Sequence, residues 1–253
     1  MEDERRNSIR ALTRVYYDYQ QERMNLDGRL GLKKDGDVKQ GAPPRDPSLL
    51  VDLYARREEV FGMETTVFKA LAKEVHQHPL WNSFLADVKG CGESIAAVII
   101  SEFDIEKAGM VSNLCSFAGL APGKDRRVKG EKCCYNQFLR SKLCGVLGSS
   151  FLKSGSPYTE HYYNMKNRLE NSDNIVKERI KGGGEKEVAW KDATPKHRHD
   201  ASIRYMMKMF LRDLYVAWRT IEGLPVREPY SEEYLGKRHG GDGGDGSEVP
   251  VLA

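Results

Sequence analysis

The chain has 253 residues, 40% hydrophobic and 30% charged, with a mean hydropathy of -0.60. No apolar run approaches the roughly 18 residues of a membrane helix, and the charged start MEDERRNSIR holds no signal-peptide core. Five cysteines without framework spacing read as reduced thiols, so a cytoplasmic protein is expected and a secreted, membrane or disulfide-stapled one is not. The net charge of +3 is unevenly spread: residues 1–78 carry 14 basic and 14 acidic side chains, residues 119–219 carry 21 and 11, and residues 220–253 carry 3 and 7. An excess of ten positive charges across a hundred residues fits a polyanion-binding surface.

The spacing of Ile9, Leu12, Tyr16, Tyr19, Leu26 and Leu30 predicts one long helix over 3–30, with Arg23 in the seam. Gly31 and the run GLKKDGDVKQGAPPRDP end it. Leu50, Leu53, Val60, Val67 and Leu71 predict a second helix over 48–77, interrupted by Arg57 and Glu64. The two pair as an antiparallel hairpin. Its apolar stripe and the aromatics Tyr17, Phe61 and Phe68 need cover. A second copy of the hairpin is the simplest, through Leu12, Tyr16, Tyr19, Leu26, Leu53, Val60 and Val67, with Arg23, Arg57 and Glu64 setting register. The alternative is that the hairpin folds back onto the rest of the chain. These readings divide the chain into a dimerising hairpin over 1–78, a helical nucleic-acid-binding domain over 79–222 and a flexible acidic Gly-rich tail over 223–253.

His78-Pro79 opens a short helix, and VKGCGESIAAVIISEF follows. Here a Gly-x-Gly turn runs into an apolar helix, so Gly90, Gly92 and Ser94 are candidates for holding a phosphate at a helix start, as a helix–hairpin–helix element does. A tight turn with no ligand is the alternative. DIEKA and MVSNLCSFAGLAP predict two short helices, with Ser112 as a cap and Gly119 as a stop. The next segment begins as a basic loop with Lys124, Arg126, Arg127, Lys129 and Lys132, then becomes a helix with Arg140 and Lys142. Five cations in nine residues suit phosphate contact, and Tyr135 and Asn136 beside them suit base stacking or base-edge contact. A helix started by Ser156 and Pro157 follows, then a Gly-rich polar loop over 171–190. The last long helix, over 197–222, buries Ile203, Met207, Phe210, Leu214, Ala217 and Ile221, and places His197, His199, Arg204 and Lys208 as a second basic rim. The whole reads as all-α.

No metal or cofactor site is expected: Cys133-Cys134 are adjacent and His197-x-His199 lacks partners, and neither a P-loop nor HExxH nor Gly-x-Ser-x-Gly is present. Ser154 and Ser156 lack a base arranged for nucleophilic work. A non-enzymatic protein is therefore expected.

The stretches VKGCGESIAAVI, FAGLAPGKDRRVKGEKCCYNQFLRSKL, FLKSGSPYTEHYYNMKNRL and ASIRYMMKMFLRDLYVAWR resemble, in order and spacing, the C-terminal half of bridge-RNA-guided DEDD-type insertion-sequence transposases. The likeness spans about half the chain, from Val88 to Arg219. Two departures argue against recombinase chemistry. The segment before the hairpin leaves no room for the acidic RuvC-like domain, and GKDRRVKGEK stands where those enzymes carry a catalytic serine, with none between Pro122 and Asn136. A helical hairpin followed by a basic helical domain is similar to the Nop domain, and in compact form to the nuclease-free Tas proteins of tandem interspaced guide RNA (TIGR) systems. That resemblance implies a prokaryotic or phage protein, a homodimer that binds a guide RNA and, through it, target DNA, with a separate nuclease as a compatible partner. A truncated or accessory transposase that binds DNA is the alternative.

Overall fold

A computed structural model describes residues 2–43, 45–121, 130, 132–179 and 184–227, and its fold is mostly helical, with 68% helix and 6% strand. The first long helix, α1, runs Glu2–Leu30 and stops at Gly31, whose φ of +70° only glycine adopts readily. Asp46 caps a 3₁₀ turn, Pro47–Leu50, through the N–H of Ser48, and that turn leads into α2, Val51–His76. The helices pack antiparallel, with Arg5 bonded to Gln77 at one end and Arg57 to Asp27 toward the other. Between them Arg23 holds Glu64 at 2.5 Å and Asp27 at 2.5 Å, and Arg57 donates to Asp27 at 3.0 Å and to the carbonyls of Lys33 and Lys34. The polar seam positions thus pair within one chain.

The hairpin also folds onto the rest of the molecule. After α3, Pro79–Ser83, the helix α4, Glu93–Glu102, lies against both α1 and α2 with every residue from Ile95 to Glu102 buried. Small and β-branched side chains suit a helix covered on all sides. One apolar core runs from Ile9, Tyr16, Leu71 and Val75 of the hairpin through α4 to Phe210, Leu214 and Trp218. Tyr17 is buried with its ring edge-on to Phe138, and Phe68 packs on Tyr16, so two of the three aromatics expected to need cover find it at home.

The helix α5, Val111–Phe117, follows the turn at 104–110; Met110, not Ser112, occupies its cap, and the run DIEKA forms turns rather than a helix. Gly119 ends it as expected, with φ +67°. Then α6, Gln137–Arg140, continues through a π-helical stretch, Ser141–Leu147, into α7, Gly148–Ser154. The helix α8, Thr159–Glu170, begins without a side-chain cap, and Ser156 is buried with its hydroxyl unpartnered instead of capping. The last helix, α9, is Pro195–Ile221, capped by Thr194. Its buried face holds the predicted Ile203, Met207, Phe210 and Leu214, and adds Met206, Leu211, Tyr215 and Trp218; Ala217 and Ile221 are half-buried.

The expected polar loop over 171–190 is instead an antiparallel hairpin of β1, Ile175–Arg179, and β2, Glu185–Ala189, which corrects the all-α reading locally. Lys177 faces Glu187, Glu178 faces Lys186 and Arg179 faces Glu185, opposite charges at every polar register position. The Glu178 carboxylate accepts from the N–H and hydroxyl of Thr194, which ties β1 to the start of α9.

Candidate nucleic-acid interface

The Gly-x-Gly turn owes its first glycine to packing. Gly90 has φ +96°, and a Cβ there would stand 2.7 Å from the Ser154 hydroxyl and 3.1 Å from the Phe151 ring. Ser150 donates to the Gly90 carbonyl at 2.7 Å, so the close approach is made to α7. Gly92 is exposed, with open space about it, at the start of α4. The first turn beyond it holds Glu93, a carboxylate already suited to the helix dipole, 3.4 Å from His76, and the half-buried Ser94.

The basic residues divide between two sides of the helix that begins at Gln137. On one side, the Tyr135 ring lies against Gly119 and under the Arg140 guanidinium, 5.0 Å from the ring centre. Tyr135, Gln137, Arg140, Ser141 and Cys144 line a shallow cleft of about 280 Å³. Arg204 of α9 is near enough for its charge to act there: both Arg140 and Arg204 bear on the Cys144 thiol, opposing the upward shift that burial gives it. Lys208, one turn on from Arg204, bears likewise on Cys115 of α5, whose thiol burial raises to about 11. Lys132 is exposed. Lys124, Arg126, Arg127 and Lys129 lie outside the described residues.

Asn136 sits beside that face but is committed inward. Its amide oxygen caps α6 by accepting from the Leu139 N–H at 3.0 Å, and its amide nitrogen donates to Glu102 at 2.5 Å. Both ends of the group expected to read a base are therefore occupied in holding α6 to α4. The two histidines also have intramolecular neighbours. His199 Nδ1 is 2.7 Å from the Tyr162 hydroxyl, and the His197 ring lies 5.0 Å from that of Trp190.

Lys142 faces the other side, toward the hairpin. Its ammonium stands 3.3 Å above the Tyr17 ring and 5.3 Å from that of Phe138, and Arg14 stacks on Phe138 at 3.6 Å. Arg14 and Arg10 share the buried Glu102, at 2.5 and 3.9 Å, and Arg6 pairs with Asp104 at 2.9 Å. This row was missed in the sequence, although Arg6, Arg10 and Arg14 recur every four residues and so line one helix face.

Of the expected dimer contacts, Tyr16, Leu26 and Val60 are buried within the chain, and Leu12 and Val67 pack half-buried against its core. Tyr19 and Leu53 are half-buried. Among the described residues no group of three or more His, Cys, Asp or Glu is placed to hold a metal ion, and no helix is long and apolar enough to cross a membrane. No protein-family model matches the chain, and neither does any curated protein or any solved structure.

Proposed function

We propose that this protein is a non-catalytic guide-RNA-binding protein, a Nop-like relative of the nuclease-free Tas proteins, that assembles a ribonucleoprotein for RNA-guided DNA targeting. The observation that carries the reading is that Arg140 and Arg204, from α6 and α9, both bear on Cys144 in the cleft that Tyr135 lines, with Lys208 one turn on along α9. Cations beside a cleft lined by an aromatic ring suit a phosphate backbone. Sequence reading of the DNA would come from the guide's base pairing, with the protein holding backbone. The homodimer remains part of the proposal. Its contact moves from the stripe that the chain buries itself to the outer face of α1, where Val15 is exposed and Tyr19 half-buried one turn on.

Fluorescence anisotropy of a short unstructured RNA against salt tests the interface. Each lost phosphate contact lowers the slope of log K on log salt by about 0.7 for a single strand, so Arg140→Ala with Arg204→Ala should lower it by roughly 1.4. An unchanged slope would remove this face from the interface. Sequencing of RNA that co-purifies with the protein separates the readings: a discrete small RNA is expected, and mixed fragments or none favour the DNA-binding accessory transposase.

A further inference from the structure

The hairpin side of the molecule holds cations that the fold does not fully use. Lys142 is half-buried, and among the described residues its ammonium has neither a hydrogen bond nor a carboxylate partner, only the faces of Tyr17 and Phe138. Arg14 lies next to it over the same Phe138 ring, and among the described residues only its Nη2 is hydrogen-bonded, to Glu102. Among the described residues Glu102 makes no contact with the Lys142 ammonium. Its oxygens already take Arg14 and the Asn136 amide, with Arg10 3.9 Å away. Arg10 itself is turned to the Ser101 carbonyl at the C-terminal end of α4, where the helix dipole favours a cation, and among the described residues its Nε makes no hydrogen bond. Glu102 is thus shared by Arg10 and Arg14, and Lys142 has no carboxylate among the described residues. Burial and the charge of Arg14 hold the Lys142 ammonium below the usual lysine range.

We propose that Arg14 and Lys142 form a phosphate clamp that takes one backbone phosphodiester of the bound nucleic acid on the hairpin side of the molecule. The clamp rests on the reading of the chain as a nucleic-acid-binding protein. A phosphodiester presents two non-bridging oxygens, one for the open N–H edge of the guanidinium and one for the ammonium, and it stays anionic at every working pH. Tyr17 and Phe138 position the cations from beneath. The geometry also sets a path. Arg140 and Lys142 are two residues apart on one helical segment and point to opposite sides, so a strand that touches both straddles the junction of α6 with the π-helical stretch and passes from the cleft at Tyr135 to the N-terminal helix. The hairpin then contacts the nucleic acid directly.

The same salt titration, between about 50 and 200 mM, tests the clamp. Lys142→Met keeps the apolar stem on Tyr17 and removes the charge, and Arg14→Gln removes the other half. Each should lower the slope by about 0.7, while Lys142→Arg keeps it. Thermal melting of Lys142→Met should match or exceed the wild type, because a half-buried cation beside Arg14 has been taken away; a lower midpoint would mean that the ammonium is structural and would overturn the clamp. If both neutral variants keep the wild-type slope while Arg140→Ala with Arg204→Ala lowers it, nucleic-acid binding stands and the clamp falls. If the wild type binds neither RNA nor DNA, the functional reading falls, and inorganic pyrophosphate followed through the ¹⁵N signal of Lys142 decides the clamp alone. Pyrophosphate should move Lys142 well beyond the exposed Lys153; equal movement of the two overturns the clamp.

Discussion

Inside the contact of α1 with α2, four charged side chains are buried: Arg23, Asp27, Arg57 and Glu64. Around α9 the corresponding places hold rings, with Phe210 edge-on to Phe151 and Tyr158 and stacked near Phe84. The ring cluster gains by removing apolar surface from water and tolerates small shifts. The ionic seam gains little net energy, because desolvation offsets most of the attraction, but it accepts only one register. The comparison teaches that the hairpin is specified by its ions and that the molecule as a whole is stabilised by the core about α4 and α9. Buried arginine serves the second region differently. Arg219 donates to the carbonyls of Ile105, Ala108 and Pro225, and so ties the end of α9 to the turn before α5, with no carboxylate partner among the described residues.

The largest expected effect comes from the ring cluster. Phe210 is fully buried, and Phe210→Ala should cost about 3–5 kcal/mol in chemical denaturation, through lost transfer energy and the cavity left behind. A loss under about 1 kcal/mol would show that the core about α9 is loosely packed. The seam should respond according to how it is cut. Glu64→Leu leaves Arg23 with Asp27 alone and should cost about 3 kcal/mol, whereas replacing Arg23, Asp27, Arg57 and Glu64 together by apolar residues of similar size should be neutral or stabilising. If the fourfold variant unfolds at least as easily as Glu64→Leu, the ions supply stability and not only register.

The smallest effect lies where the two regions meet. His78 accepts from the Leu80 N–H to cap α3, with Trp218 edge-on to its ring, and burial with the charge of Arg5 depresses it to about 4. Its folded pKa is below its unfolded one, so the unfolded chain takes up a proton first as pH falls. Its contribution is full above about pH 6.5, declines between 6.5 and 4, and declines no further below that. Over that window stability should drop by an amount on the order of 1–2 kcal/mol, allowing for partial exposure of the ring. His78→Asn keeps a capping acceptor and cannot titrate there, so equal pH profiles for the two proteins would show that His78 does not carry this dependence.

Much of the fold was legible before any coordinates. Long helices followed from the three–four recurrence of apolar residues, and helix ends from Gly31 and Gly119 with the start of α3 from Pro79, because these signals act within one or two turns of chain. The β-hairpin was missed although its strands read IVKER and EKEVA, since their alternation is of charges rather than of apolar residues and only pairing across the turn gives it meaning. The site was legible as a list of cations and hardly as a place. Two residues of one helix, Arg140 and Lys142, parted to opposite sides; Arg204 joined the first and Arg14, from the far end of the sequence, joined the second. Asn136 shows the same limit. Its amide suited a base edge by type, and only the approach of Glu102, thirty-four residues away, decided that it would hold two helices together instead.

What the sequence by itself determined are the helices, their stops, the net-neutral hairpin and the basic second half, all of which depend on local spacing and composition. Tertiary structure alone decided which carboxylate meets which cation. Hence Arg23 and Arg57 are paired within the chain, and Lys142 is left without an anion among the described residues. The physical reason is that an ion pair is fixed by distance in space, and residues such as Arg14 and Lys142 reach one another only once α4 has drawn the hairpin onto the rest of the chain.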